Sequence, residues 1–426
     1  MKIVILDGST DSADRSWVEY LAGLKAVLSR NGHQVTHFIL KDMNIRHCTG
    51  CFGCWVKTPG LCVIKDDMDE VNRQAIQADF VLWASPLVLG FPSYYLKRTM
   101  DRSIPLVHPY ITMVNGEAHH LARYERYPVF GLLVQPDAND DQAQIDLVGR
   151  ISARTALNIK SKLAFSETTG LPVAELADKI VSNRDLVIQP GPDARPQGAL
   201  ARISPPKRLL VINGSPRGSR GNTPILLQKF IDGFLSVEGT SAEMLHLTLN
   251  KDKSKLVESL RQADAVLLGF PLYTDGMPGI VKEFIDALTS LEGGASNPPL
   301  AFLVQSGFPE AAHSRYVERY LQSLAERLRS PYLGALVRGG CEGVRLMPDK
   351  MNRSLFEQLG RLGGGLARDG AFNPSDLRAL ASVERYPGLL IPILKLVLKL
   401  PVAQMYWDSQ LKKNDVYERR FDRPYA

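Results

Sequence analysis

The sequence predicts an α/β protein made of two tandem, doubly wound parallel sheets. Short apolar, β-branched runs that end in Gly, Ser or Pro alternate with longer helical stretches, which is the pattern of a parallel sheet covered by helices on both faces. The 426 residues are enough for two domains, and three apolar runs recur in the same order in the two halves. We therefore predict two diverged copies of one fold.

The predicted strands align in three pairs, and the predicted helices lie between them. The aligned pairs are 3–10 with 209–216, 78–87 with 263–272, and 132–135 with 302–305; predicted helices include 17–29, 225–234 and 316–329. After the second pair the register continues, so that Lys97 aligns with Lys282 and Asp101 with Asp286. The offset falls from 206 to 185 between the first two pairs, so the first copy has 21 more residues in that interval.

The predicted domains are 1–187 and 208–426, joined by a proline-rich linker at 188–207. The apolar segment 389–400 is too short to span a bilayer, and two lysines interrupt it. We expect it to pack as a helix on the second domain or a subunit interface, with an interfacial membrane helix as the alternative. The chain opens as a strand without a leader pattern, and its net charge of +6 is dispersed. We therefore expect a cytoplasmic protein without a nucleic-acid partner.

The loop after the first strand of the second copy, residues 214–224, reads GSPRGSRGNTP. We predict Thr223 as the N-cap of the following helix and Pro224 as its first residue, which places the loop at the positive end of a helix dipole. Glycines let the backbone turn its N–H groups inward, and hydroxyl, amide and guanidinium donors lie in the same loop. The sequence therefore predicts a phosphate site, whose candidate residues are Ser215, Arg217, Gly221, Asn222 and Thr223.

This loop resembles the FMN phosphate loop of the flavodoxin-like, NAD(P)H-dependent FMN reductase superfamily. Two further motifs of that family are matched, at 271–278 with the following 282–286, and at 305–310. The resemblance implies two flavodoxin-like domains in which the second and third loops hold the isoalloxazine ring. The ring contacts that it implies are Pro271, Leu272, Tyr273, Thr274, Ser306 and Gly307.

The first copy departs from the family pattern. Its opening loop contains Asp11 and Asp14, which would repel a phosphate, and Val88 stands where the second copy has Tyr273. Its third loop, 135–141, is acidic as well. We therefore predict one FMN per chain, in the second domain.

The first copy carries four clustered cysteines, spaced Cys-x2-Cys-x2-Cys-x7-Cys; they are Cys48, Cys51, Cys54 and Cys62. Four thiols can bind a cluster or zinc, or they can remain reduced thiols that stiffen a loop or form a redox disulfide. The spacing also resembles the compact motif of the iron-sulfur flavoproteins, in which it holds a 4Fe–4S cluster. Because the chemistry implied for the neighbouring loops is redox and zinc carries no electrons, we favour the cluster over bare thiols and place zinc last. The fifth cysteine, Cys341, is expected in a tight turn, and Gly363–Gly365 in a flexible loop.

The resemblance implies an FMN-dependent oxidoreductase that takes reducing equivalents from NAD(P)H and passes them to a quinone, a flavin, a nitroaromatic or an activated alkene. The sequence contains no Ser-His-Asp or paired-carboxylate pattern, so we assign no catalytic side chain. The alternatives are an iron-sulfur flavoprotein that carries electrons between a ferredoxin-like donor and FMN, and a colourless structural pseudo-flavodoxin. Because family members pair through their flavin faces, we expect a homodimer or an intramolecular pseudo-dimer, with the cysteine loop presented to the flavin.

Overall fold

The computed structural model describes residues 1–12, 14–182, 187–189, 191, 196–250, 252–294 and 297–426. The chain forms two compact units, of which the first comprises 1–192 and 387–426 and the second comprises 193–386. Part of the expected linker, at 190 and 192–195, lies outside the described residues.

The first unit contains a parallel sheet, a short hairpin and flanking helices. Its strands are β1 (Lys2–Asp7), β2 (Gln34–Ile39), β3 (Phe80–Val88), β4 (Phe91–Pro92), β5 (Val107–Val114), β6 (Glu117–Ala122), β7 (Val129–Gln135) and β8 (Leu163–Thr168). Its helices before the second unit are α1 (Arg15–Arg30), α2 (Gly53–Val56), α3 (Met68–Gln77), α4 (Tyr94–Asp101), α5 (Gln142–Asn158) and α6 (Val173–Ser182). The parallel strands are ordered β2-β1-β3-β7-β8, while β4 is antiparallel to β3 and β5 pairs with β6.

The second unit contains one five-stranded parallel sheet in the order β10-β9-β11-β12-β13. Its strands are β9 (Arg208–Asn213), β10 (Ser241–His246), β11 (Ala265–Pro271), β12 (Leu300–Gln305) and β13 (Tyr332–Arg338). Its helices are α7 (Thr223–Leu235), α8 (Lys253–Arg261), α9 (Gly279–Ala287), α10 (Arg315–Arg327), α11 (Asp349–Asp369) and α12 (Pro374–Ala381). Both sheets therefore have the 2-1-3-4-5 order of the flavodoxin-like fold, which confirms the predicted fold class.

The helices that flank the first strand of each sheet show why the fold forms. Apolar residues recur along α1 at Trp17, Leu21, Leu24 and Leu28, so one stripe of the helix is buried against the sheet. In the second unit, α7 buries a corresponding stripe that includes Phe230. Each core lies between the apolar faces of the helices and the strands that they cover.

The two copies share a turn in detail. Leu89 and Gly90 of the first copy have φ angles of +49° and +73°, and Thr274 and Asp275 of the second have +42° and +55°. Two successive residues with positive φ are typical of a type I′ hairpin turn.

The two copies also share a buried ion pair in the helix that follows the turn. Lys97 pairs with Asp101 in α4, and Lys282 pairs with Asp286 in α9. The register that was predicted from sequence is therefore confirmed beyond the strands themselves.

The glycine run Gly363–Gly365 is helical, and the expectation of a flexible loop was wrong. It lies inside α11, which packs against α7. A Cβ on Gly363 would collide with the carbonyl oxygen of Phe230, and a Cβ on Gly233 would collide with that of Gly360. Gly363 and Gly233 are therefore required because the backbones of α11 and α7 approach closely at these positions.

The C-terminal segment belongs to the first unit, whereas the sequence analysis placed it in the second domain. It contains α13 (Ile391–Val397) and α14 (Pro401–Lys413). The hydroxyl of Tyr425, which is buried, donates to Asp69 Oδ1 over 2.9 Å. This contact joins residues far apart in sequence, and the segment's local pattern did not encode it.

No single helix in the described parts of the chain is long and apolar enough to cross a membrane. The pair Gly388–Val397 and Pro401–Lys413, bent by 47°, meets the length and composition test only when the two pieces are taken together.

Candidate functional site

Three loops of the second unit meet at one edge of its sheet. They are the phosphate loop (214–223) after β9, the turn loop (272–278) after β11 and the third loop (306–310) after β12. These three strands are adjacent and parallel, so their carboxyl ends lie side by side. Hydrogen bonds tie the edge together, since Leu272 N donates to Gln305 O over 2.7 Å and Gln305 Nε2 donates to Thr223 Oγ1 over 3.3 Å.

The phosphate loop is folded by its own polar side chains. The N–H of Ser215 donates to Asn213 Oδ1 over 3.0 Å, and the N–H of Arg217 donates to Ser215 Oγ over 3.3 Å. A Cβ on Gly221 would collide with Ser215 Oγ, so the loop closes tightly only around a glycine. The helix α7 begins at Thr223, with Asn222 as its N-cap residue, which shifts the predicted helix start by one position.

The turn loop holds its shape through the I′ turn. Tyr273 and Gly276 exchange two backbone hydrogen bonds of 2.9 Å each, and Thr274 lies at the tip. Leu272, Tyr273 and Thr274 are all partly exposed, whereas Pro271 is buried at the end of β11. The three predicted ring contacts of this loop are therefore accessible to a ligand at the sheet edge.

The third loop is held by the strand next to it. Ser306 N donates to Arg338 O over 3.0 Å, and Ser306 Oγ donates to Phe308 O over 2.9 Å. Gly307 follows Ser306 and is exposed at this edge of the sheet. The structure therefore brings the predicted phosphate and ring residues of all three loops to one edge.

A fourth loop, after β13, contributes Glu342, a residue that the sequence analysis did not assign. Its Oε1 lies 3.4 Å from both terminal nitrogens of the Arg217 guanidinium, and its backbone oxygen accepts from Asn222 Nδ2 over 3.2 Å. A Cβ on Gly307 would lie 3.9 Å from Glu342 Oε2. This glutamate therefore lies between the phosphate loop and the third loop.

The charge of Glu342 is unfavourable where it lies. Burial raises the pKa of this carboxyl above its ordinary value, although the Arg217 guanidinium opposes that shift. The neighbouring Arg345 places a second cation beside the phosphate loop. Its backbone N–H donates to Asn222 Oδ1 over 3.2 Å, and its guanidinium Nη1 donates to Ser219 O over 3.5 Å. Because β13 borders β12, its loop lies at the same edge of the sheet, and this neighbour relationship in the tertiary structure is what brings Glu342 to the site.

The corresponding loop of the first unit is filled by its own residues. Asp7, at the end of β1, accepts hydrogen bonds from Ser9 N at 2.9 Å and Trp17 Nε1 at 3.0 Å, and His37 Nε2 lies 3.1 Å away. Burial alone would raise the pKa of Asp7, but the hydrogen bonds with His37 and Trp17 outweigh it and lower the pKa. The Asp14 carboxylate caps α1 by accepting from Trp17 N. An acid therefore occupies the helix terminus where a phosphate would bind.

The cysteine segment surrounds α2 in the first unit, and its thiols are all free. Backbone N–H groups point to two sulfurs, since Gly50 N lies 3.5 Å from Cys48 Sγ and Gly53 N lies 3.4 Å from Cys51 Sγ. Burial raises the pKa of the Cys48 thiol to about 12. Burial also raises the pKa of the Cys54 thiol, and the charges of the other three cysteines act in the same direction. The four thiols therefore share one electrostatic environment.

Two buried guanidinium groups flank these thiols. Arg102 forms a two-pronged pair with Asp66, at 2.8 and 2.9 Å, and its pKa is raised in part by Cys62 and Cys48. Arg123 is the second, and burial lowers its pKa although Cys54 opposes the shift.

The hydrogen-bond donors of Arg123 are not all paired. It donates to three backbone oxygens, and among the described residues its buried Nη2 has no hydrogen-bond partner. A buried cation of this kind fits an anionic neighbour such as a thiolate-ligated cluster.

The C-terminal helix α14 covers the cysteine segment. Trp407 packs edge-on against Phe52 and Trp55, with ring centroids 5.2 Å apart in both pairs. The adjacent Asp408 accepts from the Tyr110 hydroxyl over 2.7 Å. Within the described ranges, no three His, Cys, Asp or Glu side chains come close enough together to hold a single metal ion.

The fold and its loops define a tandem flavodoxin-like protein. Residues 1–121 and 207–337, together more than half of the chain, match the family model of NADPH-dependent FMN reductases. The chain therefore belongs to the NADPH-dependent FMN reductase family, with one match in each copy.

The curated relatives are iron-sulfur flavoproteins. The chain is 33% identical over 106 residues to one from Methanocaldococcus jannaschii, a match that covers 25% of this chain and 53% of that protein. It is 36% identical over 81 residues to one from Archaeoglobus fulgidus, with 19% and 36% covered. It is 31% identical over 106 residues to one from Methanosarcina thermophila, with 25% and 54% covered. The chain thus spans about half or less of the length of these relatives.

Solved structures that resemble the chain include the Trp repressor binding protein from Bacillus subtilis, with a TM-score of 0.30, 20% identity, and 37% of this chain and 98% of that chain covered. Another is an FMN-dependent NADH-azoreductase from Bacillus anthracis, with a TM-score of 0.30, 13% identity, and 38% and 100% covered.

Proposed function

We propose that the chain is an FMN-dependent oxidoreductase that takes reducing equivalents from NAD(P)H and passes them to a small acceptor such as a quinone, a free flavin, a nitroaromatic or an activated alkene. The observation that carries this proposal is the tight phosphate loop around Gly221, which lies beside the turn loop and the third loop at one sheet edge. Membership of the FMN reductase family supports both FMN and the nicotinamide.

In this proposal the residues of the second unit bind and orient the cofactor. Arg217 provides positive charge for the phosphate at the N-terminal end of α7, where Ser215 and Thr223 line the loop. The stiff I′ turn of the turn loop and the exposed Gly307 would border the ring. When bound, FMN supplies the hydride and electron chemistry, so no side chain has to act as a nucleophile or base.

We further propose that the four cysteines hold a 4Fe–4S cluster. Cys48, Cys54 and Cys62 are largely withdrawn from solvent, which disfavours a freely reactive dithiol among them. The N–H groups directed at two sulfurs and the incompletely bonded Arg123 suit an anionic cluster, and the redox chemistry of the family favours a cluster over zinc, which carries no electrons. A bound cluster supplies one-electron transfer, which is why a ferredoxin-linked electron carrier is the second candidate function.

The FMN assignment is tested with two matched serine variants. Ser215 and Ser9 occupy equivalent positions in the two copies, and both are buried. We expect one FMN per chain in the purified protein. We expect Ser215→Ala to weaken FMN binding about tenfold, because a charge-assisted hydrogen bond is worth roughly 1.5–3 kcal/mol. Ser9→Ala should bind FMN like the wild type. Equal losses in both variants, or two FMN per chain, would contradict a single site in the second domain.

The two candidate functions are distinguished by absorbance and metal analysis of anaerobically purified protein. A flavin spectrum that NADPH bleaches rapidly favours the reductase. Broad cluster absorbance, with iron and sulfide close to four each per chain and no response to nicotinamides, favours the carrier. Zinc without iron contradicts the cluster, and a colourless protein that takes up no FMN contradicts both functions.

A further inference from the structure

The first unit carries a concentrated exposed apolar surface at its C-terminal segment. Of the twenty large apolar side chains that are exposed among the described residues, nine lie within 389–406. They are Leu389, Leu390, Ile393, Leu396, Val397, Leu400, Val402, Met405 and Tyr406. We call this set the apolar strip. Contiguous exposed apolar surface of this kind marks an interaction site in most proteins.

The strip is a continuous face rather than scattered positions. Ile393, Leu396 and Val397 follow the i, i+3, i+4 spacing of one face of α13, and they are 58%, 64% and 42% exposed. Leu400, which is 45% exposed, follows just beyond the end of that helix. Val402 and Met405 extend the exposed surface into α14, so the strip covers both pieces of the bent pair.

The opposite side of the same segment is the side that packs on the protein. Ile391, Leu394 and Leu398 are half-buried at the i, i+3, i+7 spacing, and α13 contacts β5. In α14, Trp407 packs on the cysteine segment and Leu411 is buried. The segment is therefore already anchored by one face, and the strip is a second apolar face that the fold leaves outward.

The charges beside the strip all have one sign. From 387 to 407 the first unit contains Lys395 and Lys399 and no acidic residue, and the next acid, Asp408, is bonded to the Tyr110 hydroxyl. Both lysines are exposed and lie four residues apart. Lys399 is three residues from Leu396 and so borders the apolar face, whereas Lys395 lies on the flank nearer the packed side of α13. Long lysine side chains at such an edge can extend to a polar layer while their stems cover apolar surface.

This charge pattern disfavours a second copy of the chain as the occupant. A two-fold interface brings the same patch of both subunits together, so each copy would meet a patch that carries the same positive charge and no acidic partner between 386 and 407. Anionic lipid headgroups would instead complement Lys395 and Lys399, and each lysine near such a surface contributes attraction.

We propose that the apolar strip rests in the plane of an anionic lipid surface, with its apolar side chains at the headgroup boundary and Lys395 and Lys399 at the headgroups. The described helices here are too short to cross a bilayer singly, and the 47° bend suits a segment that lies along the surface. The first unit would thereby bring the cysteine segment, which α14 covers, close to a membrane.

The test is flotation of the full-length protein with vesicles of phosphatidylcholine alone or with one quarter phosphatidylglycerol. The wild type should partition at least tenfold more strongly into the anionic vesicles. The double variant Ile393→Glu, Leu396→Glu should lose at least tenfold of that partitioning. Each of Lys395→Gln and Lys399→Gln should lose about fivefold. Leu249→Glu and Lys25→Gln, which alter exposed residues elsewhere, should partition like the wild type.

Circular dichroism verifies that each variant is folded, and sedimentation velocity without lipid reports self-association. A wild-type dimer that the double glutamate variant converts to a monomer, without vesicle binding by the wild type, overturns the proposal in favour of a second copy. Equal binding to neutral and anionic vesicles, or no binding to either, overturns it as well.

Discussion

Replacing Glu342 by glutamine should tighten FMN binding. Glu342 is paired with Arg217, the charged residue of the proposed phosphate loop, at 3.4 Å from both terminal nitrogens. A glutamine of nearly the same shape removes the negative charge but keeps the side chain in place. The arginine would then be available to an anionic phosphate without first leaving a carboxylate.

The size of the effect follows from the geometry of this pair. At 3.4 Å and an effective dielectric constant near 20, two opposite charges attract by about 5 kcal/mol. The side chains of Arg217 and Glu342 are 25% and 36% exposed, so solvent screens most of this attraction. A net competition of about 1–2 kcal/mol remains, and it corresponds to roughly five- to thirtyfold tighter FMN binding by Glu342→Gln.

The gain in FMN affinity from Glu342→Gln should depend on pH. Because burial raises the pKa of Glu342, the folded protein favours its protonated form as the pH falls. The competing charge is thus present at high pH and lost at low pH. The affinity ratio of Glu342→Gln to wild type should be largest near pH 8 and should decline towards one at acidic pH. Using the ratio cancels protonation of the FMN phosphate itself.

The assay is quenching of flavin fluorescence in titrations with FMN and with riboflavin, which lacks the phosphate. Glu357→Gln, on the exposed side of α11, is the matched control and should bind FMN like the wild type. The reasoning is refuted if Glu342→Gln binds FMN no more tightly than the wild type at pH 8. It is also refuted if riboflavin gains as much as FMN does, since the effect would then not act through the phosphate.

Three further outcomes are expected. Gly221→Ala should weaken FMN binding at least tenfold in the same titration, because its new Cβ has no room in the phosphate loop; unchanged affinity would contradict the cradle. Trp407→Ala should raise the rate at which a thiol reagent labels Cys54 and lower the melting temperature, since it uncovers the cysteine segment; an unchanged labelling rate would argue against that cover. Burial would raise the pKa of Asp66, but hydrogen bonds with Arg102 outweigh it and lower the pKa. The Asp66–Arg102 pair should contribute fully to the free energy of unfolding above pH 3.8, and this contribution should be lost as the pH falls through the lowered pKa of Asp66. In acid-denaturation experiments, Asp66→Asn should therefore lose less stability over that pH range than the wild type does.

The two copies show how one fold supports different loop chemistry. Asn213 and Asp7 stand at equivalent strand ends, and each accepts a hydrogen bond from the serine N–H two residues on. In the second unit the neutral amide leaves the loop without an added charge, while in the first the carboxylate and the buried Trp17 fill the space. The backbone hydrogen bond at the strand end is thus retained, while the side chains differ in charge between the two copies.

The sequence by itself determined the fold class and the three loops. Periodic apolar runs, glycine-rich strand ends and the constant register through Lys97 and Lys282 are local signals, and local signals survive in a single sequence. The alternation of strands and helices predicts a parallel sheet, in which neighbouring strands end at one edge, while the flavodoxin-like strand order is what the family resemblance implied. This is why the loops that carry the predicted phosphate and ring residues are found together.

The tertiary structure decided the contacts between distant residues. The position of Glu342 beside Arg217, the packing of Trp407 on the cysteine segment and the helical glycines of α11 depend on which elements become neighbours. A glycine run reads as flexible in isolation but becomes a close-packing surface when a second helix lies against it. Likewise, the membership of 387–426 in the first unit follows from buried contacts such as that of Tyr425, and no periodicity within the segment specifies its partner.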